Sequence, residues 1–193
     1  MSDLRAGVIG VGYLGNFHAE KYQKIPGVQL VGVVDTNPER AERVAYRYGV
    51  KAYKDYKELL PNINLVSIVV PSVKHYPVAK DCLNAGIHCL VEKPLTELVP
   101  HATELIATAR QKKAVLQVGH LERFNPVVQY VKDGLREKKW GDLISISAIR
   151  VSPSFKTPKQ ALKASSLFFM LMSKNFILSI LSLVGSFEIS AFF

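Results

Sequence analysis

Gly7-Val8-Ile9-Gly10-Val11-Gly12-Tyr13-Leu14-Gly15 runs directly into Asn16-Phe17-His18-Ala19-Glu20. A short apolar run leads into three glycines at GxGxxG spacing, and a segment of helical character follows. Each glycine has a distinct use in a dinucleotide site. Gly10 permits a tight turn out of the strand. Gly12 presents no side chain, so a pyrophosphate can approach the backbone. Gly15 lets the helix pack close to the strand, and the helix start offers N–H groups and partial positive charge to the phosphates. Tyr13 and Leu14, between the last two glycines, belong to the same cofactor-binding turn. The same glycines also suit a plain turn in another α/β protein, so the surroundings decide.

Arg5 to Ile9 reads as a buried parallel strand and residues 14–24 as a helix that ends before Pro26-Gly27. Val28 to Val34 is a second apolar strand, and it closes on Asp35. Strand, glycine turn, helix, strand is the context the motif requires. Asp35 stands 20 residues past Gly15, where an acidic side chain can accept from ribose hydroxyls. An Asp at that point repels a 2′-phosphate, which favours NAD over NADP. Asp35 equally suits the N-cap of a helix that starts at Pro38.

The alternation continues. Residues 38–48 form a helix that stops at Gly49, and Val50 to Tyr53 a short strand. Asp55 can cap a helix through Leu60. Leu65 to Val70 is β-branched and reads as a central strand. It ends at Pro71-Ser72, the carboxyl edge of the sheet, where open parallel sheets bind ligands. Helix 75–85 follows. Ile87 to Val91 then delivers Glu92-Lys93-Pro94 to that edge, and helix 97–112 leads to Val115–Val118. Six strands with crossover helices predict an α/β fold with a doubly wound parallel sheet, a Rossmann domain, over 1–125. Residues 126–193 would then begin a second domain of α+β type, cut short.

Composition limits the function classes. The chain has 193 residues, 48% of them apolar and 21% charged, as in a globular protein. Net charge is +9, and residues 126–193 hold nine Lys/Arg against four Asp/Glu. Such a surface suits an anionic ligand. Without a basic run interleaved with aromatics, nucleic acid is not expected. Cys82 and Cys89 lack metal-ligand spacing; they read as reduced core residues of a cytoplasmic protein, and no metal is expected.

The tail is harder to read. Residues 126–138 look helical, Leu143 to Val151 alternates like a strand of another sheet, and Ser152 to Pro158 is a loop. From Leu167 the chain is strongly apolar. Lys174 and Asn175 interrupt the run at its centre and weigh against a membrane span over 167–185. A buried helix is the expected form.

Four stretches together carry a resemblance: GVIGVGYLGNFHAEKY, VVDTNPERAE, CLVEKPLT at 89–96 and GHLERFNP at 119–126. The chain resembles the Gfo/Idh/MocA family of NAD(P)-dependent sugar oxidoreductases, and within it the branch acting on UDP-N-acetylglucosamine and its uronic acid. The resemblance implies hydride transfer between a sugar hydroxyl, here on a nucleotide sugar, and NAD. It implies Lys93 as the base beside that hydroxyl, with Glu92 orienting the nicotinamide carboxamide or pairing with Lys93. It places Pro71, Ser72 and His75 on the nicotinamide side, His120 near the cofactor and Asn125 near the sugar. His18 reads as a packing residue. The family carries an Asp and a His four residues apart on a helix of its second domain. The matching stretch here is Met170 to Ile177, so Met170 and Lys174 replace that pair. The resemblance further implies an antiparallel second domain that makes a homo-oligomer interface; here strand 143–151 and the apolar tail would lack partners. Two functions stay open: an NAD-dependent sugar dehydrogenase impaired by truncation, and a non-catalytic NAD-binding module.

Overall fold

The computed structural model describes residues 4–151 and the backbone of 166–173, 176–183 and 186–192, with side chains through residue 144. The chain divides into two compact units between His120 and Leu121.

The first unit alternates strands and helices. They are β1 (Leu4–Ile9), α1 (Tyr13–Lys24), β2 (Val28–Val34), α2 (Pro38–Tyr48), β3 (Lys51–Tyr53), α3 (Tyr56–Leu59), β4 (Leu65–Ile68), α4 (His75–Asn84), β5 (His88–Val91), α5 (Val99–Lys112) and β6 (Leu116–Val118). The sheet order is β3-β2-β1-β4-β5-β6, with every pairing parallel. This is the doubly wound order in which the connections reverse between β1 and β4, so a crevice opens at the carboxyl ends there.

The sequence explains the elements. Val8, Val33, Val66, Ile68 and Val91 are fully buried, as expected of strands covered on both faces. Each contributes about 1.5–3 kcal/mol from burial. Gly7 stands opposite Gly32 across β1 and β2. A Cβ on Gly7 would lie 2.7 Å from Leu59, and one on Gly32 2.5 Å from Tyr53. The paired glycines thus leave the space that two larger core side chains fill. Helix α2 has Asn37 as its side-chain cap, Pro38 at its first position and Gly49 left-handed at its end, the usual stop and start signals. Asp55 caps α3 by accepting from the Lys57 N–H.

The second unit holds α6 (Pro126–Arg136) and four strands: β7 (Leu143–Val151), β8 (Ser166–Ser173), β9 (Phe176–Leu183) and β10 (Ser186–Phe192). The strands form an antiparallel sheet in the order β10-β9-β8-β7. Two expectations are corrected here. The apolar stretch from Leu167 is strand, not a buried helix, and strand 143–151 is paired with β8 along its length. The match of Met170 to Ile177 with a catalytic helix fails for the same reason: Met170 lies in an extended strand. The loop 152–158, Lys174 and Asn175 lie outside the described residues. Among the described residues, no helix is long and apolar enough to cross a membrane.

Candidate active site

The glycine turn sits between β1 and α1. Gly10 has φ +88° and donates from its N–H to the Val34 carbonyl at 2.8 Å. A Cβ there would meet the Val69 carbonyl oxygen at 2.4 Å, and one on Gly15 would meet the Gly10 oxygen at 1.8 Å. Both positions are closed by backbone. Gly12 differs: the nearest atom to an added Cβ is an Arg40 guanidinium nitrogen at 4.0 Å. The room that its missing side chain leaves is open. Gly12 is the N-cap of α1, no side chain caps that end, and the first turn holds no acidic residue. The positive end of the helix dipole therefore faces an uncrowded backbone, a fitting cradle for a diphosphate.

Beside it lies a cavity of about 690 Å³, lined among others by Gly10, Gly12, Asp35, Arg40, Val70 and Pro71. Asp35 is 7% exposed. One of its oxygens accepts from the Val11 N–H at 3.0 Å and the other from the Asn37 N–H at 2.9 Å. Arg40 stands 3.4 Å from both. Asp35 is therefore not the cap of α2; that is Asn37, which accepts from the Arg40 N–H. The two backbone bonds pin the carboxylate at the cavity wall. The third partner is Arg40, whose side chain is 43% exposed.

Three strand ends form the other side. Past β4, Pro71 is exposed and the Ser72 hydroxyl donates to Glu97 at 3.3 Å. His75 is 1% exposed, with its ring nitrogens 2.9 Å from the Val70 carbonyl and 2.6 Å from the Pro94 carbonyl. Its ring straps the loop after β4 to the loop after β5, which is a supporting place in the site. Past β5, Glu92 is buried and Lys93 exposed; the Lys93–Pro94 bond is cis. Past β6, Gly119 is buried and His120 exposed. The first unit thus brings Gly10, Gly12, Tyr13, Leu14, Gly15, Asp35, Pro71, Ser72, His75, Glu92, Lys93 and His120 to one edge of a single sheet. Asn125 belongs to the second unit, where its side chain accepts from the Val127 N–H and caps α6.

Sequence reasoning missed Arg40, Ser67, Tyr22 and the role of His18. His18 stands 3.2 Å from Glu92 and 3.0 Å from Ser67. The available signal was Ser67, a lone hydroxyl inside the apolar run Leu65 to Val70. Among the described residues, no group of His, Cys, Asp or Glu could hold a metal ion.

The glycine turn, the buried Asp35 and the doubly wound order define an NAD-binding Rossmann domain. Residues 4–120 match the family model for the Gfo/Idh/MocA oxidoreductases, an oxidoreductase family with an NAD-binding Rossmann fold. The chain belongs to this family. It is 42% identical over 153 residues to UDP-N-acetylglucosamine 3-dehydrogenase of Acidithiobacillus ferrooxidans, covering 79% of this chain and 47% of that one. It is 31% identical over 136 residues to inositol 2-dehydrogenase of Rubrobacter xylanophilus, covering 68% and 39%. The chain thus spans about half the length of the curated relatives it matches. The solved structure of the Acidithiobacillus enzyme, GnnA, superposes with a TM-score of 0.72 at 28% identity, over 99% of this chain and 78% of that chain. GenD2 from gentamicin A biosynthesis, in complex with NAD, shares the fold with a TM-score of 0.77 at 18% identity, over 99% and 73%.

Proposed function

We propose that this chain is the cofactor half of an NAD-dependent sugar oxidoreductase. Its substrate class is a nucleotide sugar, and Lys93 is the residue that takes the hydroxyl proton. The observation that carries the reading is the placement of Glu92-Lys93-Pro94 at the same carboxyl edge as the open backbone of Gly12 and the pinned carboxylate of Asp35. Similarity to a UDP-N-acetylglucosamine 3-dehydrogenase supports the substrate class. The buried free thiols Cys82 and Cys89 fit a reducing compartment, the cytoplasm.

The residues divide the work as follows. The Gly12 backbone and the start of α1 hold the diphosphate, and Asp35 accepts from the adenosine ribose. Bound NAD supplies the hydride acceptor. The sugar carbinol loses its C–H as hydride and its O–H proton to the Lys93 amine, which leaves a ketone and a protonated lysine. Pro71, Ser72 and His120 border the nicotinamide side, and His75 holds two of its loops together. Asn125 is assigned to the sugar, its amide keeping one free N–H beside its bonds to Val127 and Glu122. Residues 121–193 contain no histidine, so among residues 1–193 the proton transfer rests on Lys93, and turnover by these residues alone is expected to be slow relative to cofactor binding.

Titrating NADH and following its fluorescence tests the cofactor site. Binding is expected, and Asp35→Ala should weaken it and relax the preference for NAD(H) over NADP(H). No change in fluorescence at millimolar cofactor would sink the reading. With UDP-N-acetylglucosamine, little NADH formation is expected, and Lys93→Ala should remove what there is. Residual turnover that survives Lys93→Ala would refute the role given to the lysine.

A further inference from the structure

Beneath the edge that carries Lys93 runs a buried polar chain that neither the glycine turn nor the lysine explains. Its members come from three elements. His18 and Tyr22 stand one turn apart on α1, Ser67 lies within β4, and Glu92 follows β5. The Tyr22 hydroxyl is 2.7 Å from Ser67 Oγ. Ser67 Oγ is 3.0 Å from His18 Nδ1, and His18 Nε2 is 3.2 Å from Glu92 Oε1. The second carboxylate oxygen, Oε2, accepts the Lys93 backbone N–H at 3.2 Å.

Ser67 is 0% exposed, Tyr22 7% and Glu92 8%. Polar groups at this depth are costly unless hydrogen-bonded. One arrangement satisfies all of them. Tyr22 donates to Ser67, Ser67 donates to His18 Nδ1, and His18 Nε2–H donates to Glu92. Burial pushes the Tyr22 phenol up, against the opposing hydrogen bond to Ser67, which keeps it a donor at neutral pH. The end of β6 closes over the carboxylate: a Cβ on Gly119 would stand 2.9 Å from Glu92 Oε1. The carboxylate is thus held from two sides.

The chain of bonds starts on the body of α1 and ends at Glu92. In a doubly wound sheet the two nucleotide halves lie on either side of the strand-order reversal. Asp35, at the end of β2, takes the adenosine side. Glu92, at the end of β5, lies on the nicotinamide side. We propose that His18 is a positioning residue: by holding Glu92, it fixes the backbone at Lys93 and sets the nicotinamide side of the site. This rests on the cofactor reading given above.

Calorimetric titration with NADH and with ADP-ribose tests it, because ADP-ribose keeps the adenosine diphosphate half and lacks nicotinamide. His18→Leu should weaken NADH by about tenfold or more, the loss expected when a hydrogen bond to a buried carboxylate is removed, and leave ADP-ribose within about twofold. His18→Gln, whose amide can replace the Nε2–H donor, should recover most of the NADH affinity. Ser67→Ala, a small change that removes the bond to Nδ1, should give the same selective loss in milder form and serves if His18→Leu does not fold. Equal losses for both ligands, no loss for either, or a Gln variant no better than Leu would overturn the proposal. A wild-type chain that binds neither ligand overturns the cofactor reading and this inference with it. Wild-type binding of both, with variants unchanged, overturns this inference alone.

Discussion

The three glycines of the turn share a motif but not a physical role. Gly15 and Gly10 are closed by backbone, whereas Gly12 is open and has an ordinary extended conformation, with φ −64° and ψ −157°. Gly15→Ala must push a Cβ into the Gly10 carbonyl, and overpacking of this kind costs about 1–3 kcal/mol or more. Gly12→Ala meets only an Arg40 guanidinium nitrogen at 4.0 Å, an ordinary contact. It should leave the melting temperature unchanged and fill the cradle, lowering NADH affinity by at least about tenfold, or roughly 1.4 kcal/mol. Thermal melts and NADH titrations of the two variants check this; normal NADH binding by Gly12→Ala would show that no phosphate approaches that backbone. At this scale the place of Asp35 on the cavity wall was legible, because an acidic residue at the end of the second strand has a fixed distance from the glycines along the chain. His18 was not. Its partners lie 49 and 74 residues away, and only the parallel sheet brings them against α1.

Among the elements, the start of α2 separates two readings of one short stretch. Sequence allows Asp35 as either a ribose acceptor or the helix cap. In the structure the cap is Asn37, and Asp35 is bound by the Val11 and Asn37 N–H groups. Asn37→Ala should therefore destabilise the fold by about 1 kcal/mol, the usual worth of a side-chain cap, while NADH affinity stays within about twofold, well under 1.4 kcal/mol. Urea unfolding alongside NADH titration measures both; a silent Asn37→Ala would mean that the cap lies elsewhere. Among the first six strands β2 and β4 were the most readable, because runs rich in Val, Leu and Ile there lead to Asp35 and Pro71. The tail was not. Leu167 to Met172 is apolar at every position, and such a run has neither the period of a helix nor that of a strand. Length was the usable signal. Three runs of seven or eight residues, each separated by two, have hairpin spacing. With Met170 in a strand, a motif that depends on a helical face at that position cannot be carried over.

On the scale of the whole molecule, the two units make different demands. The first is a sheet covered by its own helices, and Gly12, Asp35, Glu92 and Lys93 all belong to it. The second is a four-stranded antiparallel sheet whose β8 is apolar at six consecutive positions, Leu167 to Met172. In an extended strand, successive residues point to opposite faces, so an unbroken apolar run calls for cover on both. The strands β7 and β10 end the sheet among the described residues, and edges of this kind invite pairing with a further chain. The full chain is therefore expected to self-associate, with a mass by light scattering that is a multiple of 21.5 kDa. A chain ending at His120 lacks that sheet and should remain monomeric. It should still bind NADH with the full chain's affinity, within about twofold, which corresponds to a fraction of a kcal/mol. A full chain that runs as a 21.5 kDa monomer would show that the apolar strands find their cover within one molecule. A shortened chain that folds but fails to bind would show that the cofactor site draws on residues past His120, and that the division of labour between the units is wrong.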